Sequence, residues 1–397
     1  MSRVTLPDFP WDRLRPHAEV ARAHPDGIVD LSIGAPVDPT PPVLRAALAA
    51  AADAPWYPQT YGTPQLREAV AAWFARRRGV PDVDPAGVMP TVGSKELVGW
   101  LPTLLGLGPG DLVAHPEIAY PTYDVGARVA GATPFPADDV AVLRDVSDAV
   151  RLVWVNSPAN PTGRVLDAER LAAIVAWARS VGAVVASDEC YAELVWDVAE
   201  APSILDPRVC GGSHEGLLAV YSLSKQSNLA GYRAAFVAGD PALVRRLLEL
   251  RKHLGMMVPL PVQHVLGVAL ADDAHVAEQR ERYRVRRRTA TAALRRAGFR
   301  VEDSEAGLYL WATRDEPCLD TVGWLAARGV LAAPGEFYGP RGSRHVRIAL
   351  TAPDERIGRL AVRLGGTGPD REATGDGADA PAAVSPAFEW PRVTTRE

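Results

Sequence analysis

Two apolar runs joined by one amphipathic segment limit the folds open to this chain more than any other feature. "VRLVWV" (150–155) and "GAVVAS" (182–187) are short, rich in β-branched residues and read as buried strands. Between them, "DAERLAAIVAWARSVG" (167–182) sets Leu171, Ile174, Val175 and Ala178 at helical spacing. Asp167 serves as its N-cap and Gly182 as its stop. This is a βαβ unit, so the two strands are parallel and their carboxyl ends share one edge. A third run, "GLLAVYS" (216–222), follows after a link long enough for a second crossover. The expected fold is α/β, with a mostly parallel central sheet flanked by helices. At 397 residues the chain has room for one large unit of this kind or for two or three smaller domains.

In an open parallel sheet, ligands lie beyond the carboxyl ends of the strands. The segments there are "NSPANPTG" (156–163), "DECY" (188–191) and "SLSK" (222–225). The edge therefore gathers Asn156, Asn160, Asp188, Tyr191, Ser222 and Lys225. Lys225 is one of only three lysines, with Lys95 and Lys252, among 43 basic residues. Arginine stays protonated, whereas a lysine amine can lose its proton and become a nucleophile or a base. An amine, a carboxylate, a phenol and an amide brought together suit a carbonyl cofactor held as an imine. The turn before "SKELVGWLPTLL" (94–105) adds an anion site, because Gly93, Ser94 and Lys95 present backbone N–H groups at a helix start. Pro102 within that helix predicts a kink.

A net charge of −5 gives no electrostatic reason to expect nucleic acid or an anionic membrane as partner. "RERYRVRRRTATAALRRAGFR" (280–300) reads as a long helix whose arginines face solvent and pair with Glu278 and Glu281. Cys190, Cys210 and Cys318 lack metal-ligand spacing, which fits a reduced, cytoplasmic setting. The first residues lack the apolar stretch of a signal peptide, and "LVGWLPTLLGLGPG" (97–110) is too short to span a bilayer. The Gly-, Ala-, Pro- and Asp-rich segment 366–397 is expected to be a disordered tail.

In order along the chain, "LSIGAPVDPTPP" (31–42), "YPQTYGTPQLREAV" (57–70), "TVGSKE" (91–96), "AYPTY" (119–123), "NSPANPTG", "SDECY", "SLSKQSNLAGYR" (222–233) and "HVRIALT" (345–351) resemble the aspartate aminotransferase superfamily, the class I/II aminotransferases of PLP fold type I. The resemblance implies pyridoxal 5′-phosphate as cofactor, a small-molecule amino donor with a 2-oxo acid acceptor, and a homodimer. It also implies a large cofactor-binding domain at 45–270 and a smaller α+β domain made from 1–44 and 271–365. Lys225 resembles the lysine that bonds the cofactor and later acts as base. Asp188 resembles the partner of the pyridine nitrogen, Tyr191 and Asn160 the pair on the ring oxygen, and Tyr120 the aromatic stacked on the ring. The phosphate falls to Gly93, Ser94, Lys95, Ser222, Ser224 and Arg233, with Tyr57 reaching in from a neighbouring subunit. Arg347 resembles the clamp on the substrate α-carboxylate, with Gly34 close by. Taken singly, Tyr120 and Tyr191 also fit core aromatics, Asp188 a cap and Cys190 core packing.

Other readings start from the same residues. "SLSK" satisfies the Ser-x-x-Lys pattern of penicillin-recognising hydrolases, but Gln226 and His253 follow the two later lysines where Thr-Gly is needed. A DNA-binding regulator with a degenerate aminotransferase domain needs a module ahead of "LSIG", and about 30 residues precede it. A PLP-dependent β-lyase shares every cofactor residue. Within the superfamily, "FPWDRL" (9–14), "RKHLGMMVPLPVQ" (251–263) and "AGLYLWATRDEPC" (306–318) look like the N-succinyldiaminopimelate aminotransferases. That implies amino transfer between N-succinyl-LL-2,6-diaminopimelate and 2-oxoglutarate, in lysine and diaminopimelate biosynthesis. Lys95 and Lys252 are then candidates for the distal carboxylates, and "GEFYG" (335–339) and "GMMVP" (255–259) for the walls. A broad alanine, aromatic or methionine-type aminotransferase is the alternative.

Overall fold

The computed structural model describes residues 6–7 and 10–365, so the expected tail at 366–397 lies outside the described residues. The strands are β1 (Val29–Asp30), β2 (Val88–Val92), β3 (Leu112–His115), β4 (Thr133–Pro136), β5 (Val150–Asn156), β6 (Val184–Asp188), β7 (Leu217–Ser222), β8 (Ala234–Gly239), β9 (Arg300–Glu302), β10 (Tyr309–Thr313), β11 (Val330–Leu331), β12 (Ala333–Pro334) and β13 (His345–Ala349). Seven of them form the central sheet in the order β2-β8-β7-β6-β5-β3-β4. β5, β6 and β7 are parallel neighbours, and only β8 runs against both of its neighbours.

Local sequence explains these elements. Helix α3 (Ala168–Ser180) starts where the Asp167 carboxylate accepts from Arg170 N at 2.8 Å, and the chain leaves it through Gly182 at φ +69°. Helix α1 (Ser94–Leu104) contains Pro102 and runs on through it for two more residues. Gly126, on helix α2 (Thr122–Val129), lies where a Cβ would stand 3.0 Å from Val98 O, the carbonyl that Pro102 leaves without its helical donor. The burial of β5, β6 and β7 on both faces is that of a sheet covered by helices.

A four-stranded sheet, β12-β13-β10-β9, and the pair β1-β11 complete the described architecture. β1 lies near the start of the chain and β11 some 300 residues on, so the two chain ends are stitched together. No helix among the described residues is long and apolar enough to cross a membrane.

The arginine-rich segment forms helix α4 (Asp273–Arg296), with Arg282 paired to Glu278 at 2.5 Å and Arg284 to Glu281 at 2.7 Å. One arginine corrects the expectation of solvent-facing charges. Arg286 is buried, because Asp38 takes two of its donors and Asp354 a third. A buried guanidinium is tolerated only when its charge and donors are matched in this way.

Candidate functional site

The carboxyl ends of β5, β6 and β7 open into a cavity of about 680 Å³, a volume common for pockets that hold small ligands. Strand register sets its floor, since Asn156 stands opposite Asp188 and Asp188 opposite Val220. Asn156 fixes the turn after β5, with Nδ2 donating to Asp188 O at 2.9 Å and Oδ1 accepting from Asn160 N at 2.7 Å.

Asp188 is buried, and its carboxylate accepts from Tyr123 Oη at 3.0 Å and from Cys190 N at 3.3 Å. Burial pushes its pKa above the usual carboxylate value, while the bonds from Cys190 and Tyr123 pull it part of the way back. Both donors are neutral, and no salt bridge to it occurs among the described residues. Such a carboxylate suits a cationic ring nitrogen. Tyr123 stacks on Trp154 with centroids 5.0 Å apart and meets Tyr120 edge-on at 6.1 Å, so the phenol is held firmly.

Beside Asp188, Ser94 begins α1 and Gly93 precedes it at φ +75°. A Cβ on Gly93 would stand 2.0 Å from Arg233 Nη2, so the guanidinium lies directly over a residue that has to be glycine. Ser222 Oγ donates to Ser224 Oγ at 2.8 Å. The helix start, the two hydroxyls and Arg233 make an anion cradle. Glu96, an acid in the first turn of α1, is neutralised by the buried Arg251 at 2.7 and 3.0 Å.

Elsewhere in the lining, the Arg347 guanidinium donates to Asn160 Oδ1 at 3.0 Å and to Ser32 O at 2.6 Å. It is buried, its Nε has no hydrogen-bond partner, and no carboxylate among the described residues pairs with it. An incoming carboxylate fits that need. Tyr309 lies under the guanidinium, 4.1 Å from its carbon to the ring centroid, and its hydroxyl is 3.2 Å from that of Tyr191. Burial raises the pKa of both phenols. The positive charges of Arg347 and Lys225 outweigh it at Tyr309, which falls below its usual value, whereas Tyr191 stays well above. A Cβ on Gly34 would stand 2.1 Å from Tyr309 Oη, and Gly34 O accepts from Lys225 Nζ.

Gly34, Ser94, Lys95, Tyr120, Asn160, Asp188, Tyr191, Ser222, Ser224, Lys225, Arg233 and Arg347 thus line one cavity. Gly93 lies behind the lining under Arg233, and Tyr57 is 81% exposed and outside it. Cys190, expected as core packing, belongs to a buried core cluster and also lines the cavity beside Asp188. Lys252 is instead paired with Glu249 at 2.8 Å on an exposed helix end, and neither 255–259 nor 335–339 lines the cavity. Sequence reasoning missed Tyr123, Tyr309 and Ser32. Tyr123 lay within the quoted "AYPTY", whose second tyrosine was the available signal.

The family model for aminotransferase class I and II matches residues 26–364. The chain belongs to the class I and II aminotransferases. Their cofactor is pyridoxal 5′-phosphate, and the buried anion-seeking and cation-seeking groups of the cavity fit its phosphate and its ring nitrogen. The chain is 60% identical to the 4-dedimethylamino-4-oxo-anhydrotetracycline transaminase OxyQ of Streptomyces rimosus, over 90% of this chain and 99% of that one. It is 59% identical to a probable aminotransferase of Mycobacterium tuberculosis, over 91% and 86% of the two chains. Among solved structures, a probable N-succinyldiaminopimelate aminotransferase from Thermus thermophilus superimposes with a TM-score of 0.82 at 31% identity, covering 90% of this chain and 99% of that one.

Proposed function

We propose that this aminotransferase exchanges the amino group of N-succinyl-LL-2,6-diaminopimelate with 2-oxoglutarate in cytoplasmic lysine and diaminopimelate biosynthesis, each substrate entering in turn. The observation that carries the reading is the mixture of cationic and apolar groups in the cavity lining. Arg347 and Lys95 both line it, together with an apolar surface from Leu6, Pro10, Trp11 and Val125. A donor with carboxylates at both ends of a long chain matches that set of groups. The structural likeness to the Thermus thermophilus protein supports it.

The residue roles follow from position. Ser94, Ser222, Ser224 and Arg233 would hold the cofactor phosphate, Asp188 the ring nitrogen, Asn160 and Tyr191 the ring oxygen, and Tyr120 the ring face. When bound, the cofactor supplies an electron sink for the bonds at the substrate α-carbon. Arg347 fixes the α-carboxylate common to both substrates, which sets the α-hydrogen toward Lys225. Lys225 Nζ takes that proton from the donor and in the second half of the cycle supplies one to the α-carbon of the acceptor, and Gly34 O orients the amine meanwhile. Tyr191 and Tyr309 share one hydrogen bond against Arg347 and keep water from the clamp. The 45–270 portion carries the cofactor and the two chain ends cover the substrate. Tyr57 and the neighbouring Trp56, 81% and 75% exposed, would meet a second copy in a homodimer and bring Tyr57 to its phosphate.

A second reading rests on the 60% identity to OxyQ, namely a polycyclic oxo acceptor in place of 2-oxoglutarate. A panel of kcat/KM values decides between them. N-succinyl-LL-2,6-diaminopimelate should exceed alanine, phenylalanine and unsuccinylated LL-diaminopimelate by at least about a hundredfold, the worth of a matched distal ion pair. Equal values across the donors would overturn the substrate, and faster turnover of the tetracycline ketone would favour the second reading. Release of ammonia and pyruvate from β-substituted alanines, with no keto acid exchange, would instead mark a lyase.

A further inference from the structure

Helix α4 carries a buried polar stripe beneath its arginines. His275, Gln279, Tyr283 and Arg286 recur at i, i+4, i+8 and i+11 on one face, and all four are buried. Buried polar groups need partners, and apart from Asp354 on Arg286 and Asp272 beside His275 the partners here come from two segments. One is the loop that bears Lys225. His275 Nε2 is 2.8 Å from Ser227 Oγ, Gln279 Oε1 accepts from Asn228 Nδ2 at 3.0 Å, and Tyr283 Oη donates to Lys225 O at 3.4 Å. Ser227 is wholly buried, so its bond to His275 ties the loop to the helix and presents no nucleophile.

The other partner is the segment 32–40. Gln279 Nε2 donates to Asp38 Oδ2 at 2.8 Å, and Arg286 grips the same carboxylate at 2.6 and 2.7 Å. This segment supplies Ser32 O to Arg347 and Gly34 O to Lys225. Asn228 stands at φ +52°, in the left-handed region, and bonds Pro39 O and Thr40 Oγ1 besides Gln279. Gln279 is therefore the side chain that spends its carbonyl on the lysine loop and its amide nitrogen on the covering segment.

We infer that Gln279 is a positioning residue, setting the Lys225 loop and the 32–40 segment at one spacing and thereby holding the carbonyls that orient Lys225 and Arg347. The inference rests on the roles proposed for those two residues. Loss of the bridge loosens the Arg347 clamp on the carboxylate common to donor and acceptor. Their KM values should therefore rise together while kcat changes little.

The test compares full-length, PLP-loaded Gln279→Leu, Gln279→Glu and Gln279→Glu with Asp38→Asn against the parent enzyme. It reads KM and kcat for glutamate and 2-oxoglutarate, the pH midpoint of the cofactor absorbance, and the thermal midpoint. Gln279→Leu should raise both KM values by about five- to fiftyfold, the worth of two lost hydrogen bonds, and shift the absorbance midpoint. Gln279→Glu should be worse, since its carboxylate faces Asp38, and the added Asp38→Asn should recover part of the loss. A lower thermal midpoint with unchanged KM values and absorbance would reduce Gln279 to packing and overturn the inference. So would a folded double variant no better than Gln279→Glu. If Lys225→Ala keeps its turnover, the underlying roles fail, whatever the Gln279 variants do.

Discussion

At the floor of the cavity, Asn156, Asp188 and Ser222 are the last residues of three adjacent parallel strands, and their spacing is the spacing of the sheet. At its cover, Ser32, Gly34 and Asp38 meet Arg347, Lys225 and Arg286 across 315, 191 and 248 residues of chain. The floor is held by backbone ladders and a two-sided apolar core, which deform little. The cover is held by side-chain bonds to single carbonyls and carboxylates, which can be broken and remade one at a time. An enzyme that must hold one cofactor and admit two substrates in turn benefits from that division.

Four substitutions test the contrast. Lys225→Ala removes the one amine that floor and cover share. Turnover should fall by about 10⁴-fold or more, and the absorbance of lysine-bound cofactor should vanish. A borohydride-reducible adduct at Lys95 or Lys252 with retained activity would show that the floor has been placed wrongly.

Arg347→Ala removes the proposed clamp at the edge of the cover. Values of kcat/KM should fall by about 10²- to 10³-fold for donor and acceptor alike, and Arg347→Lys should not rescue them, because a point charge cannot replace the planar fork. A loss confined to one substrate would separate the two carboxylate sites.

Tyr123→Phe tests the floor without touching the cover. The Asp188 pKa, raised by burial and restrained by Cys190 and Tyr123, would rise further without the phenol. The role proposed for Asp188 requires the ionised carboxylate, so the acid limb of the kcat/KM profile should move to higher pH. Cofactor affinity should weaken by about tenfold, in line with a bond to a charged group. An unmoved acid limb in a folded variant would remove Tyr123 from the floor.

Lys252→Ala lies outside both regions, and its exposed pair with Glu249 adds little. Donor kcat/KM should stay within about twofold of the parent value, as expected for a surface ion pair. A selective loss on the succinylated donor would bring Lys252 back into the site.

What the sequence determined by itself is local. The spacing of Leu171, Ile174, Val175 and Ala178, the Asp167 cap and the Gly182 stop are short-range signals, and the helix and its flanking strands follow from them. The glycine turn at Gly93 announced a helix start in the same way. Once the strands were known to be parallel, their ends had to share an edge, which brought Asn156, Asp188 and Ser222 together before any side chain was placed. Tertiary structure alone decided the cover and the contacts between charges. Every residue of β10 is buried, so the alternation that would single out Tyr309 is erased. Arg286 looks like its solvent-facing neighbours in sequence, and only Asp38 and Asp354, brought from distant parts of the chain, make its burial tolerable. The second tyrosine of "AYPTY" marks Tyr123 as a candidate, but only the fold pairs it with Asp188, 65 residues away. Periodicity records which face of an element is apolar, but the partner a polar side chain meets depends on how the elements dock.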